Sequence, residues 1–160
     1  MDNLILPLSF VLAVVSYSLI AKWYVMPWLA PLSRKEALTP LLLLHSSRFI
    51  GLAFLIPGVT SVPLDPRFAN PAAWGDLLAA VLALIALLAL RLEWSAAVPL
   101  VWIFNIEGTL DLLNALFQGM RYAPSSDLGA TYFIPTVIVP ALLVTHFIVF
   151  KLLLSQKPTN

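Results

Sequence analysis

Long apolar runs broken by short polar punctuation make up most of the chain, and five of them reach the length a membrane crossing requires. A hydrocarbon core of roughly 30 Å needs about 20 apolar helical residues. The pattern predicts spans over about 4–24, 39–60, 76–92, 95–119 and 135–154. The first ends in Trp23, Tyr24 and Trp28, an aromatic cluster suited to the membrane–water interface. The second opens on Thr39-Pro40, a cap residue followed by proline at the first helical position. The third is bounded by Asp76 and Arg91 with no polar side chain between them, and its Ala79, Ala83 and Ala86 suit close helix packing. It is expected to be a packing helix with a lipid-facing back and no chemistry. The connection from Ser61 to Gly75 carries Pro63, Pro66 and Pro71 and reads as a stiff irregular cap. The expected fold class is therefore an all-α integral membrane protein, a five-helix bundle forming a single transmembrane domain over residues 1–160.

Composition agrees with the pattern. Of 160 residues, 61% are hydrophobic and 11% charged, against about 25% charged in soluble domains. A net charge of +1 gives no broad field for a polyanion, so nucleic acid is not an expected partner. Without cysteine the chain has no disulfide, thiolate metal ligand or thiol nucleophile. The start Met1-Asp2-Asn3 lacks the basic n-region of a secretory signal, so no cleavage is expected. Counting basic residues by side gives Lys22, Arg34, Lys35, Arg91, Lys151 and Lys157 against Arg67 and Arg121. That asymmetry predicts an external N-terminus and a cytoplasmic C-terminus, in a bacterial inner membrane or its equivalent.

Charge inside hydrocarbon costs roughly 2.5 to 3.5 kcal/mol at a helix centre and so calls for partners or a function. In the fourth span Glu107, Asp111, Asn114 and Gln118 follow at intervals of four, three and four, one stripe of a helix. At 1.5 Å per residue the stripe runs from near the membrane centre to the outer interface. His45 and Arg48 share a face of the second span, with Arg48 roughly 12 Å deep counted from Pro40. The expected pair is Arg48 with Glu107. His146 of the fifth span lands at similar depth, whereas His45 is expected near the interface in a solvated or capping role. Asn105 lies roughly 200° around the helix from Glu107 and needs a different neighbour. Gly108 could admit a close approach, Pro99 and Pro140 could kink their helices, and Ser9 and Ser16 are expected to bond back to their own helix.

No phosphate loop, nucleophile elbow or metalloprotease motif is present in the sequence. His45, His146, Glu107 and Asp111 match no local metal-ligand spacing, and a haem between the two histidines is disfavoured by their unequal depths. No cofactor is assigned. The leading expectation is a polar midplane site that binds or transports a small molecule, ion or proton through Arg48, His45, Glu107, Asp111, Asn114, Gln118 and His146. Two carboxylates one turn apart resist ionising together, so one could carry a proton. An intramembrane isomerase or hydratase acting on a lipid or isoprenoid is the alternative, with Glu107, Asp111 and His146 catalytic and Trp102 and Phe104 facing a developing cation. A structural subunit of a larger membrane complex is the third reading, since an arginine–carboxylate pair can also serve packing. Membrane lipid, a small-molecule or lipid ligand, and a homo-oligomer or complex are the expected partners.

Overall fold

A computed structural model describes residues 2–155, all helical with no strands among the described residues. Lys157, counted in the charge asymmetry, lies outside them. Five helices are long and apolar enough to cross a membrane: α1 (Leu4–Leu29), α2 (Arg34–Leu55), α3 (Pro66–Arg91), α4 (Ala97–Tyr122) and α5 (Gly129–Leu154). This is the make-up of a multi-pass membrane protein. Helices α2 to α5 form the packed centre, and α1 lies along the flank of α5 with most of its apolar surface outward.

Helix α1 runs on to Leu29, α2 stops at Leu55 and α5 begins at Gly129, each five or six residues from the expected bound, and two helix starts differ for reasons of capping. Helix α2 begins at Arg34, because Ser33 accepts from the Glu36 backbone N–H while the Glu36 carboxylate takes the Ser33 N–H, a reciprocal capping box. Thr39 and Pro40 therefore lie within the helix. Helix α3 begins at Pro66, with Asp65 accepting from Arg67 N at 2.9 Å and proline in the first turn. The Arg67 side chain and backbone N–H together hold the half-buried Asp65 carboxyl down at about 2. Most of the expected irregular cap is thus the first turns of α3, and Asp76 sits well inside the helix rather than at its start.

Helix α2 changes character at its centre. Arg34–His45 is α-helical, and Ser46–Leu55 winds as a 3₁₀-helix, much longer than the usual three or four residues. The Ser46 and Ser47 hydroxyls donate to the carbonyls of Leu43 and Leu44, each at 2.7 Å, and occupy acceptors where the winding changes. Side chains three apart eclipse in such a helix, so His45, Arg48, Gly51 and Phe54 form one inward line, and all four are buried. In a pure α-helix the same line would drift out toward solvent or lipid.

The alanine face of α3 does what its spacing predicts. Ala79, Ala83 and Ala86 are wholly buried, and their small size lets neighbouring helices approach closely. Trp74, Leu78, Leu84 and Leu88 on the back of the helix are exposed. At one end of the bundle Lys35 pairs with Glu93 at 2.7 Å and Arg34 donates to the Ser155 carbonyl. At the other end Arg67 lies over the Tyr122 ring, and Ser61 N–H and Ala130 N–H tie the two loops through the carbonyls of Asp127 and Val59.

Candidate functional site

Arg48, whose side chain is fully buried, is the centre of a network joining α2, α3, α4 and α5. Its Nε donates to Asp76 Oδ1 at 2.8 Å, and its Nη2 lies 2.7 Å from that same oxygen. Nη2 also donates to Asp111 Oδ2 at 2.6 Å. Nη1 donates to the Gly108 carbonyl at 3.0 Å and meets His146 Nε2 at 3.2 Å. A guanidinium has five N–H bonds and accepts none, so these contacts use its whole donor set. Arg48 therefore serves to fix the two aspartates and has no donor left for a further group.

The same bookkeeping sets the histidine. Arg48 can only donate, so His146 Nε2 accepts, and Nδ1–H is left to donate to Asn105 Oδ1 at 2.7 Å. Asn105 in turn donates Nδ2–H to the His146 carbonyl at 3.2 Å. Both ring nitrogens are engaged, and Asn105 is the neighbour its position on α4 calls for. His45 lies against the His146 ring with centroids 4.1 Å apart, and its Nε2 meets Thr145 Oγ1 at 3.1 Å. The Thr145 hydroxyl donates to Ala141 and Leu142 carbonyls, which makes it the acceptor from His45 and leaves His45 Nδ1 buried without a partner among the described residues. The direct ring contact leaves no space for a haem between the two histidines. Among the described residues no group of three or more His, Asp or Glu side chains is arranged to hold a metal ion.

Three glycines make the network sterically possible. A Cβ at Gly51 on α2 would collide with the Asp76 carboxylate, and one at Gly75 on α3 with that of Asp111. At Gly108 on α4 a Cβ would stand 2.6 Å from Arg48 Nη1 and 2.8 Å from His146 Cε1. Each helix thus offers a bare stretch of backbone to an ionisable side chain of another.

Of the residues singled out in the sequence, Arg48, Asp111 and His146 meet directly, and His45 joins them through ring contact. The expected Arg48–Glu107 pair is replaced by Arg48 with Asp76 and Asp111; Glu107 stands beside it with Oε2 buried and without a hydrogen-bond partner among the described residues. His45 is fully buried, not solvated, because the eclipsed line of α2 carries it inward. Asn114 is exposed and Gln118 half-buried, and neither joins the network. Ser9 bonds across to Tyr132 Oη at 3.2 Å instead of back to its own helix. Asp76 is the functional candidate the sequence reading assigned no chemistry. Its signal is Asp65-Pro66, a cap and first-turn proline of the kind noted at Thr39-Pro40.

Beside the network lies a cavity of about 540 Å³. It runs from the end of α4 and the loop after it, at Arg121, Pro124 and Ser125, inward along Phe68, Leu116 and Leu112 to Asp76. Its walls are mainly apolar, and Asp76 is the one acidic residue lining it among the described residues. The face of α4 that borders it is Leu112, Ala115, Leu116 and Gly119, next to the Glu107–Gln118 stripe rather than the stripe itself.

Comparison with curated proteins and with solved structures found no match. A family model does match residues 5–154, nearly the whole chain, and the chain belongs to that family, described as Domain of unknown function (DUF8737).

Proposed function

We propose that this is a multi-pass membrane protein that binds or transports a small, largely apolar molecule in a site between its central helices. The observation that carries this reading is the cavity of about 540 Å³, a size within the usual range of ligand pockets, ending on a fixed carboxylate. Arg48 holds Asp76 and Asp111 in place, and Asp76 is the polar group that meets the occupant. Binding energy would come chiefly from apolar walls, with Asp76 setting orientation. The basic residues at the Arg34, Lys35 and Arg91 end favour a cytoplasmic placement of that end, so the cavity mouth would open to the exterior.

A second reading has one specific observation behind it. All five Arg48 donors are met by protein groups, as a purely structural lock between helices would require. Filling the cavity separates the two. Ala115→Trp, at the cavity wall, should remove saturable stabilisation by small apolar ligands in thermal unfolding while leaving the protein folded. Ligand-induced stabilisation that survives the substitution, or is absent from the native chain, contradicts the binding reading. Because the chain has no cysteine, single cysteines report its orientation: Ser126→Cys should react with an impermeant maleimide in intact cells and Ser95→Cys should not, and the reverse pattern overturns the placement.

A further inference from the structure

The chemical class of the occupant follows from the charge balance around Asp76. Two carboxylates, Asp76 and Asp111, share a single guanidinium, and a third acid, Glu107, has a buried Oε2 without a hydrogen-bond partner among the described residues. Arg48 spends both of its bonds to Asp76 on Oδ1. Asp76 Oδ2 lies over the bare backbone of Gly51 and takes no hydrogen bond among the described residues. A carboxylate in an apolar surrounding seeks donors for its free oxygen. Among the described residues the cavity delivers an occupant to this residue and to no other acid, and the only cation lining it, Arg121, lies near the C-terminal end of α4 against the Phe117 ring. The deep end is thus acidic and donor-poor, and the walls are apolar.

We propose that the cavity takes a lipophilic amine, an apolar body whose protonated nitrogen lies at Asp76, with Phe68, Leu112 and Leu116 along the body. The ammonium brings a positive charge to a carboxylate that shares its one arginine with Asp111, and its N–H bonds reach the oxygen Arg48 leaves free. An anionic head is excluded from the same place by Asp76 itself, and a neutral alcohol gains the hydrogen bond without the charge. This inference rests on the binding reading above, and its test is built so that the two can fail separately.

The full chain in non-ionic detergent is titrated with octylamine, octan-1-ol and octanoate, with thermal unfolding as the readout, because a ligand that binds only the folded state raises the unfolding midpoint by mass action. Octylamine should half-saturate at about 10-fold lower concentration than octanol or less, as expected for a charge-assisted hydrogen bond. Octanoate should give no saturable shift. Asp76→Asn should bring octylamine and octanol level, and Ala115→Trp should abolish both responses. If Asp76→Asn does not fold, the ranking of the three heads on the native chain decides alone. Octylamine and octanol equal within about 2-fold, both lost in Ala115→Trp, overturn the amine assignment and leave the apolar site standing. No saturable shift from any of the three overturns both. Sphingosine, an amine resident in bilayers, should stabilise at least as well as octylamine; failure of the longer chain alone contradicts an apolar body lying along the cavity wall.

Discussion

Arg48 touches α3, α4 and α5 from its place on α2, and the planar fork of its guanidinium is what lets one side chain do so. Its partners are not equivalent to the acid beside them. Asp111 accepts directly from Nη2, whereas Glu107 Oε2 has no partner among the described residues. In reversible denaturation from mixed micelles, Asp111→Asn should cost about 2–4 kcal/mol by weakening the hold on a buried charge. Glu107→Gln should stay within about 1 kcal/mol of the native chain. The opposite order would restore Glu107 as the partner. The sequence made Arg48, Asp111 and His146 visible as costly intramembrane groups, but it misjudged their level. Counting from Pro40 instead of Arg34 shortens the depth of Arg48 by about 9 Å at the α-helical rise. The true level carries its side chain past Glu107 toward the next carboxylate along α4. Asp76 was hidden for a related reason: three prolines made the first turns of α3 look like loop.

At the scale of elements, the span number and the packing face of α3 could be read directly from hydropathy and small-residue spacing. The inner face of α2 could not. Its residues recur every three positions, at 45, 48, 51 and 54, and that repeat becomes a face only when the helix tightens to three residues per turn. A search for the 3.6-residue period passes over it. The glycines opposite the ionisable groups give this geometry a sharp test. Alanine normally improves an exposed position within a helix by about 1 kcal/mol relative to glycine. Gly75→Ala and Gly108→Ala should instead destabilise by about 1–3 kcal/mol, since the added methyl displaces Asp111 in one case and Arg48 with His146 in the other. Gly119→Ala serves as the comparison, because its methyl meets only the Phe68 ring edge at 3.3 Å. Equal effects at all three glycines would mean that the close approaches impose no constraint.

For the whole molecule, one buried polar network fastens four helices, while α1 packs on their flank and an apolar cavity runs along them to the network's edge. Fold and candidate site are therefore the same structure seen for two purposes: the contacts that hold α2, α3 and α4 together also fix the acid at the cavity's end. Such an arrangement makes the arginine and its aspartates interdependent. Removing one member leaves the other buried and uncompensated, at a cost of about 3–5 kcal/mol, whereas removing both relieves part of that cost. The most direct measurement is a double-mutant cycle between Arg48→Met and Asp76→Asn, read by reversible denaturation in mixed micelles. A coupling of at least about 2 kcal/mol is the predicted result. Effects that add within about 0.5 kcal/mol would show that the two residues act independently and would contradict the network.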